Sequence, residues 1–89
     1  MFKNKEDKMP VIKTVRVKPD WIKCRITEAG SLTNLAAELQ TTVSTISRYA
    51  RGQTEASPRF IGAVLSTYPI EFTDAFYISR EKIFGHGEY

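Results

Sequence analysis

The 89-residue sequence predicts a mainly α domain of four to five short helices, with a small two-stranded antiparallel sheet made from its terminal segments. Three observations predict it. Apolar residues recur at the three-to-four spacing of a buried helical stripe in four successive stretches between Trp21 and Tyr68. Each stretch is bounded by residues that start or stop helices. The β-branched run Val11-Ile12-Lys13-Thr14-Val15-Arg16-Val17 near one end is matched by Phe76-Tyr77-Ile78-Ser79 near the other. A chain this short makes one domain and buries only about 60–65% of the surface it exposes when unfolded. A large enzyme with a deep, enclosed substrate cavity is thereby excluded.

The elements follow in order. Residues 1–10 mix charges and end in Pro10, which reads as a flexible basic arm. In the first strand Val15 and Val17 alternate with Thr14, Arg16 and Lys18, so one face is polar, and Pro19 stops it. Pro19 and Asp20 then open a first helix with Ile22, Ile26 and Ala29 on one stripe, Trp21 and Cys24 beside it, and Gly30 as its stop. Ser31 is the N-cap of a second helix carrying Leu35, Ala36 and Leu39, with Asn34 where a capping box would have Glu or Gln. Thr41 to Ser44 interrupts the pattern. A third helix runs from about Thr42, with Ile46, Tyr49 and Ala50 as its stripe and Gly52 closing it. After a loop through Ala56, Ser57-Pro58 starts a fourth helix whose apolar face is Ile61, Val64, Leu65 and Tyr68, ended by Pro69. Thr73-Asp74-Ala75-Phe76 suits a single helical turn. A strand over 76–80 is expected to pair with 12–17, so that residues 11–80 form a single domain and 81–89 a tail.

Several chemistries are excluded. One cysteine, Cys24, makes no internal disulfide, and with a single histidine, His86, it falls short of the three or four ligands a zinc site needs. Cys24 reads as a half-buried, inert thiol. No metal and no cofactor are expected: there is no glycine-rich phosphate loop and no Ser/His/Asp constellation, while Glu28 and Glu38 read as solvated helix-face charge. No stretch approaches the roughly 20 apolar residues of a membrane span, and Met1 to Lys8 is basic without a following apolar segment. The expectation is a cytoplasmic protein without enzymatic activity.

The formal charge is +3, from 13 Lys and Arg against 10 Asp and Glu, but its distribution says more than its sum. Residues 1–18 carry +4 and residues 41–59 carry +2, through Arg48, Arg51 and Arg59 against Glu55. Residues 19–40 carry −1 and residues 60–89 carry −2. This suits a polyanion that touches the middle of the domain and is reached by the arm. The bland alternative is ordinary solubilising charge.

Short helices joined by tight turns, the middle pair separated by three or four residues, describe a helix-turn-helix. In such a unit one helix braces the next, whose exposed face and N-terminal end fit the DNA major groove. The stretch SLTNLAAELQTTVSTISRYARG, residues 31–52, resembles without a gap the pattern of lambda-repressor/Cro-like (XRE-type) regulators: a cap, an LA pair, a turn, then S/T-I-S-R-aromatic-x-R-G. Ser57-Pro58-Arg59-Phe60 is similar to that family's start of its fourth helix. The resemblance covers about residues 19–70, and Thr45 to Gly52 is its most specific part. It implies a four- to five-helix lambda-repressor-like helix-turn-helix bundle that binds operator DNA as a homodimer and regulates transcription. Because 89 residues leave little room for a sensor domain, a phage or mobile-element repressor is the expected type.

Residue by residue, the resemblance puts Val43, Ser44, Ser47 and Arg48 against base edges. Thr42 caps the recognition helix and meets the DNA backbone, as do Arg51, Gln53, Thr54 and Arg59. It makes Ala36 small for a close helix crossing, and Leu35, Leu39, Ile46 and Tyr49 buried. There are two departures. Gln40 stands where the family usually has Gly, so a left-handed backbone there carries strain. Leu32 replaces a Gln that usually contacts phosphate. Trp21 and Phe60 read as core. Phe72, Phe76, Tyr77, Ile78 and Phe84 exceed what a four-helix core needs and are assigned to the dimer interface, to which the 12–17 strand can add, with completion of the monomer's own core as the alternative. The competing function is a helix-turn-helix antitoxin or protein-interaction adaptor that uses this apolar segment to hold a partner protein.

Overall fold

The computed structural model describes residues 11–82, in the order β1 (Val11–Val17), α1 (Pro19–Ala29), α2 (Leu32–Glu38), α3 (Val43–Ala50), α4 (Pro58–Thr67), α5 (Phe72–Ala75) and β2 (Phe76–Lys82). The expected arm over 1–10, Phe84 and His86 lie outside the described residues. The five-helix bundle with a terminal two-stranded sheet is the architecture the sequence predicts. No helix among the described residues is long and apolar enough to cross a membrane.

α2, α3 and α4 each begin where a side-chain cap sits. Ser31 Oγ accepts from Asn34 N at 3.0 Å, Thr42 Oγ1 from Thr45 N at 3.1 Å and Ser57 Oγ from Phe60 N at 3.1 Å, each satisfying one backbone donor left free at a helix start. α2 and α3 end alike. At α2, Gln40 N donates to Ala37 O and Thr41 N to Ala36 O. At α3, Gly52 N donates to Tyr49 O and Gln53 N to Arg48 O. Both are Schellman closures, which need a left-handed residue. Gly52 supplies it at φ 69° without cost, whereas Gln40 does so at φ 57° as the one non-glycine residue with positive φ among those described.

The core is built from all five helices and both strands. Ile22 of α1, Leu35 of α2, Ile46 of α3, Val64 of α4 and Phe76 of β2 are its largest fully buried side chains. Burying each contributes about 1.5–3 kcal/mol. Phe60 joins α4 to its neighbours: its ring lies 4.3 Å from that of Tyr49 and edge-on to Phe76 at 6.3 Å. α4 therefore turns its Phe60–Val64 stripe inward. Leu65, expected on that face, is 37% exposed, because it lies one residue past the stripe. Cys24 is also exposed and not half-buried, for it sits two residues from Ile22, some 200° round α1.

β1 and β2 pair antiparallel from Val17↔Phe76 to Val11↔Lys82, so β2 runs two residues beyond the expected 80. The ribbon is rooted in the core by Val17 and Phe76, and Lys18 N donates to Ala75 O at 2.8 Å. Further out it exposes Val11, Ile12, Tyr77 and Ile78, the last at 57%. Its second edge is used as well: β1 takes up the α3–α4 loop through an Arg16↔Glu55 bridge and the Ala56 N to Val15 O bond at 2.8 Å.

Candidate nucleic-acid interface

α3 has two sides. Ile46 and Tyr49, three residues apart, are buried, which turns Val43, Ser44 and Arg48 to solvent with Ser47 half-buried. Ser44, Ser47, Arg48 and Arg51 fall at i, i+3, i+4 and i+7 and so share one face. Val43, 40% exposed, opens the helix beside its Thr42 cap. All four residues expected to read bases are thus brought onto the free side of one short helix.

The cations on this side differ in how they are held. Arg48 and Arg59 are exposed and have no hydrogen-bond or ion-pair partner among the described residues. Both line a surface groove of about 660 Å³ between α3 and α4, together with Thr45 and Thr54 and the carboxylates Glu38 and Glu55. Arg51 is engaged: its Nη2 donates to Ser47 Oγ at 3.1 Å, which folds the guanidinium back over the end of α3. A cation there also meets the negative end of the helix dipole. The structure thereby ties an expected base contact, Ser47, to an expected backbone contact, Arg51.

The loop after α3 carries Gln53, exposed, and Thr54, half-buried. Three features fix it. Tyr49 Oη accepts from Ser57 N at 3.2 Å at one end, the Arg16↔Glu55 bridge holds the middle, and Thr14 Oγ1 donates to Glu55 Oε1 at 2.8 Å. Thr14, Arg16, Glu55 and Glu81 were not singled out from the sequence. The signal that could have found them is the polar face of the first strand, Thr14-Arg16-Lys18. At the start of α2, Leu32 is half-buried and Asn34 Nδ2 donates to Ala29 O at 2.9 Å, so that end is occupied by its own side chains.

The residues assigned to the dimer interface are divided. Phe76 is 0% exposed and belongs to the monomer's core, which overturns its assignment to the interface. The reason is its register opposite Val17 at the root of the ribbon. Phe72 is half-buried and stacks on Phe76 with centroids 5.2 Å apart. Tyr77 and Ile78 are exposed. Trp21, expected in the core, is half-buried and meets Tyr68 edge-on at 5.8 Å.

A braced helix with a capped N-terminus, a free polar and cationic side and a fixed following loop defines the class as a helix-turn-helix domain. A protein-family model described as helix-turn-helix matches residues 24–74, more than half of the chain. The chain belongs to this family, the XRE or lambda-repressor-like helix-turn-helix domains of DNA-binding regulators. No curated protein and no solved structure matches the chain. The matched stretch begins after β1 and stops before β2, so the ribbon lies outside it.

Proposed function

We propose that the protein is a sequence-specific double-stranded DNA-binding transcription regulator of the phage or mobile-element repressor type, acting in the cytoplasm as a homodimer with α3 in the major groove. One observation carries the reading: the free side of α3 holds Arg48 exposed and without a partner among the described residues, beside Val43, Ser44 and Ser47. An unengaged guanidinium can take guanine O6 and N7 together, which discriminates by about 1–3 kcal/mol. Thr42, Gln53, Thr54, Arg51 and Arg59 surround this helix with hydroxyl, amide and cationic groups for the DNA backbone, which fix register without reading sequence.

The homodimer rests on size and on the ribbon. A single module makes few phosphate contacts, so operator affinity comes from two half-sites about 34 Å apart. Of the six exposed large apolar side chains among the described residues, four lie on the ribbon, Val11 and Ile78 on one face and Ile12 and Tyr77 on the other, which suits the ribbon to a second copy. The same side chains favour a second reading, in which the ribbon of an antitoxin or adaptor holds a different protein.

Selection of bound duplexes from random DNA tests the reading. A palindromic consensus is expected, and recovery of no preferred sequence overturns it. On the selected site Arg48→Ala should weaken binding about 5- to 150-fold while leaving a scrambled duplex nearly unaffected. Equal losses on the two duplexes would take the base-reading role away from Arg48.

A further inference from the structure

The ribbon lies outside the family match, yet it touches the DNA-facing side through three consecutive residues, Thr14, Val15 and Arg16, of which Arg16 alone also grips β2 by its side chain. Along the polar face of the ribbon, Arg16 grips Glu81 fork to fork: Nε donates to Oε2 at 2.5 Å and Nη2 to Oε1 at 3.2 Å. Ser79 Oγ donates to the same carboxylate at 3.0 Å and orients it. The remaining nitrogen of Arg16, Nη1, donates to the carbonyl of Gly52 at 3.4 Å, at the residue that closes α3. On its backbone side Arg16 bridges Glu55, and in the two residues before it Val15 O accepts from Ala56 N and Thr14 Oγ1 donates to Glu55. Arg16 therefore joins three parts of the molecule: its guanidinium ties β2 to Gly52 at the end of the recognition helix, and its backbone meets the loop that carries Gln53 and Thr54.

The electrostatics agree with the geometry. Glu81 is held below the usual carboxylate range, first by its hydrogen bond from Arg16 and then by that from Ser79, while Arg16 is raised, chiefly by the bond to Glu81. Arg16 thus has a partner of its own, unlike Arg48 and Arg59, and its charge is already compensated within the ribbon.

We propose that Arg16 is a positioning residue for DNA binding. Clamped by Glu81, it fixes the Gly52–Ala56 loop before DNA arrives, and so makes β2 part of the DNA-binding unit. The inference rests on the reading of Gln53 and Thr54 as backbone contacts. A loop fixed in advance loses little conformational freedom on binding, whereas a loose one loses it at that moment and at the expense of affinity. Any partner that grips β2, a second copy included, would act on DNA affinity through the same clamp.

Glu81→Gln separates positioning from simple charge. Removal of an anion makes the protein more cationic, so electrostatic attraction alone predicts equal or tighter DNA binding. Positioning predicts weaker binding, by about tenfold on cognate and scrambled duplexes alike. In the free protein, amide hydrogen exchange at Ala56, whose N–H is bonded to Val15 O, should quicken in both Glu81→Gln and Arg16→Gln, while the amides of Ile46 and Val64 keep their protection. The exchange data also show that the variants remain folded. Wild-type protein that selects no duplex overturns the DNA reading and this inference together. Wild-type protein that binds, with Glu81→Gln binding as tightly or more tightly, or with loop exchange unchanged, overturns this inference alone.

Discussion

Gln40 shows how a single side chain can be at odds with the turn it occupies. Its backbone must be left-handed for Gln40 N and Thr41 N to close α2, and at φ 57° an L-residue bearing a Cβ costs roughly 1 kcal/mol or more against glycine. Gln40→Gly should therefore stabilise the fold by about 0.5–1 kcal/mol after its greater freedom in the unfolded chain is counted, and raise Tm by about 4 °C. Thermal unfolding followed by circular dichroism checks this, and a lower Tm would show that the Gln40 side chain contributes more than its backbone strain costs. This residue was legible from sequence because the helix-turn-helix pattern fixes which position must be left-handed. Arg51 was legible only in part: its place beside the DNA-facing stripe follows from spacing, but its bond to Ser47 is a choice of rotamer that no pattern encodes. The exposure of Cys24 was obscured by its apolar neighbours, although its angle from Ile22 round the helix would have revealed it.

Helices α3 and α4 work as a pair because the first helps to start the second. Tyr49 is buried on α3, packs its ring at a tilt against Phe60 of α4, and with its hydroxyl accepts the backbone N–H of Ser57, the residue that caps α4. Tyr49→Phe keeps the ring contact and strands that N–H, so a loss of about 1–2 kcal/mol is expected, read from the midpoint of urea unfolding at unchanged m-value. No loss would mean that water replaces the phenol. At this scale the sequence carried helix starts and ends well, since Ser31, Thr42 and Ser57 cap for local reasons. It carried helix rotation less well. Whether α4 turns Leu65 or Phe60 inward is decided by aromatic partners on α3 and β2, distant in the chain, and Phe60 wins because two rings receive it. The same competition draws Phe76 out of the expected interface, while Tyr77 and Ile78, one and two residues further along the ribbon, stay exposed.

The bundle as a whole is fastened by polar ties on two sides. Away from α3, Tyr68 closes α4 against α1 and α2: its hydroxyl donates to Glu38 Oε2 at 2.5 Å, and the Arg25 guanidinium lies 4.8 Å from its ring centroid. Burial first, and the bond to Glu38 second, push the Tyr68 phenol up to about 12. An unfolded tyrosine loses its proton near pH 10. Between about pH 10 and 12 the unfolded chain gives up a proton that the folded protein keeps, so Tyr68 withdraws stability as pH rises through that window. Melts from pH 8 to 11.5 should fall more steeply for the wild type than for Tyr68→Phe, and parallel curves would remove Tyr68 from the account. On the other side the ribbon was legible as a pair of strands from β-branched and aromatic composition and from the alternation along the first strand. Its grip on the α3–α4 loop was not, because that contact joins a strand to a segment with no strand pattern of its own.

That grip also sets a timetable. During synthesis the four longer helices emerge in sequence and can pack on one another through local contacts, whereas β1 must wait for β2, which follows all of them along the chain. Until Glu81 reaches Arg16, the loop behind the recognition helix lacks its full support. A nascent chain can thus hold a formed helix-turn-helix and still be unready for DNA, and readiness arrives with the last strand.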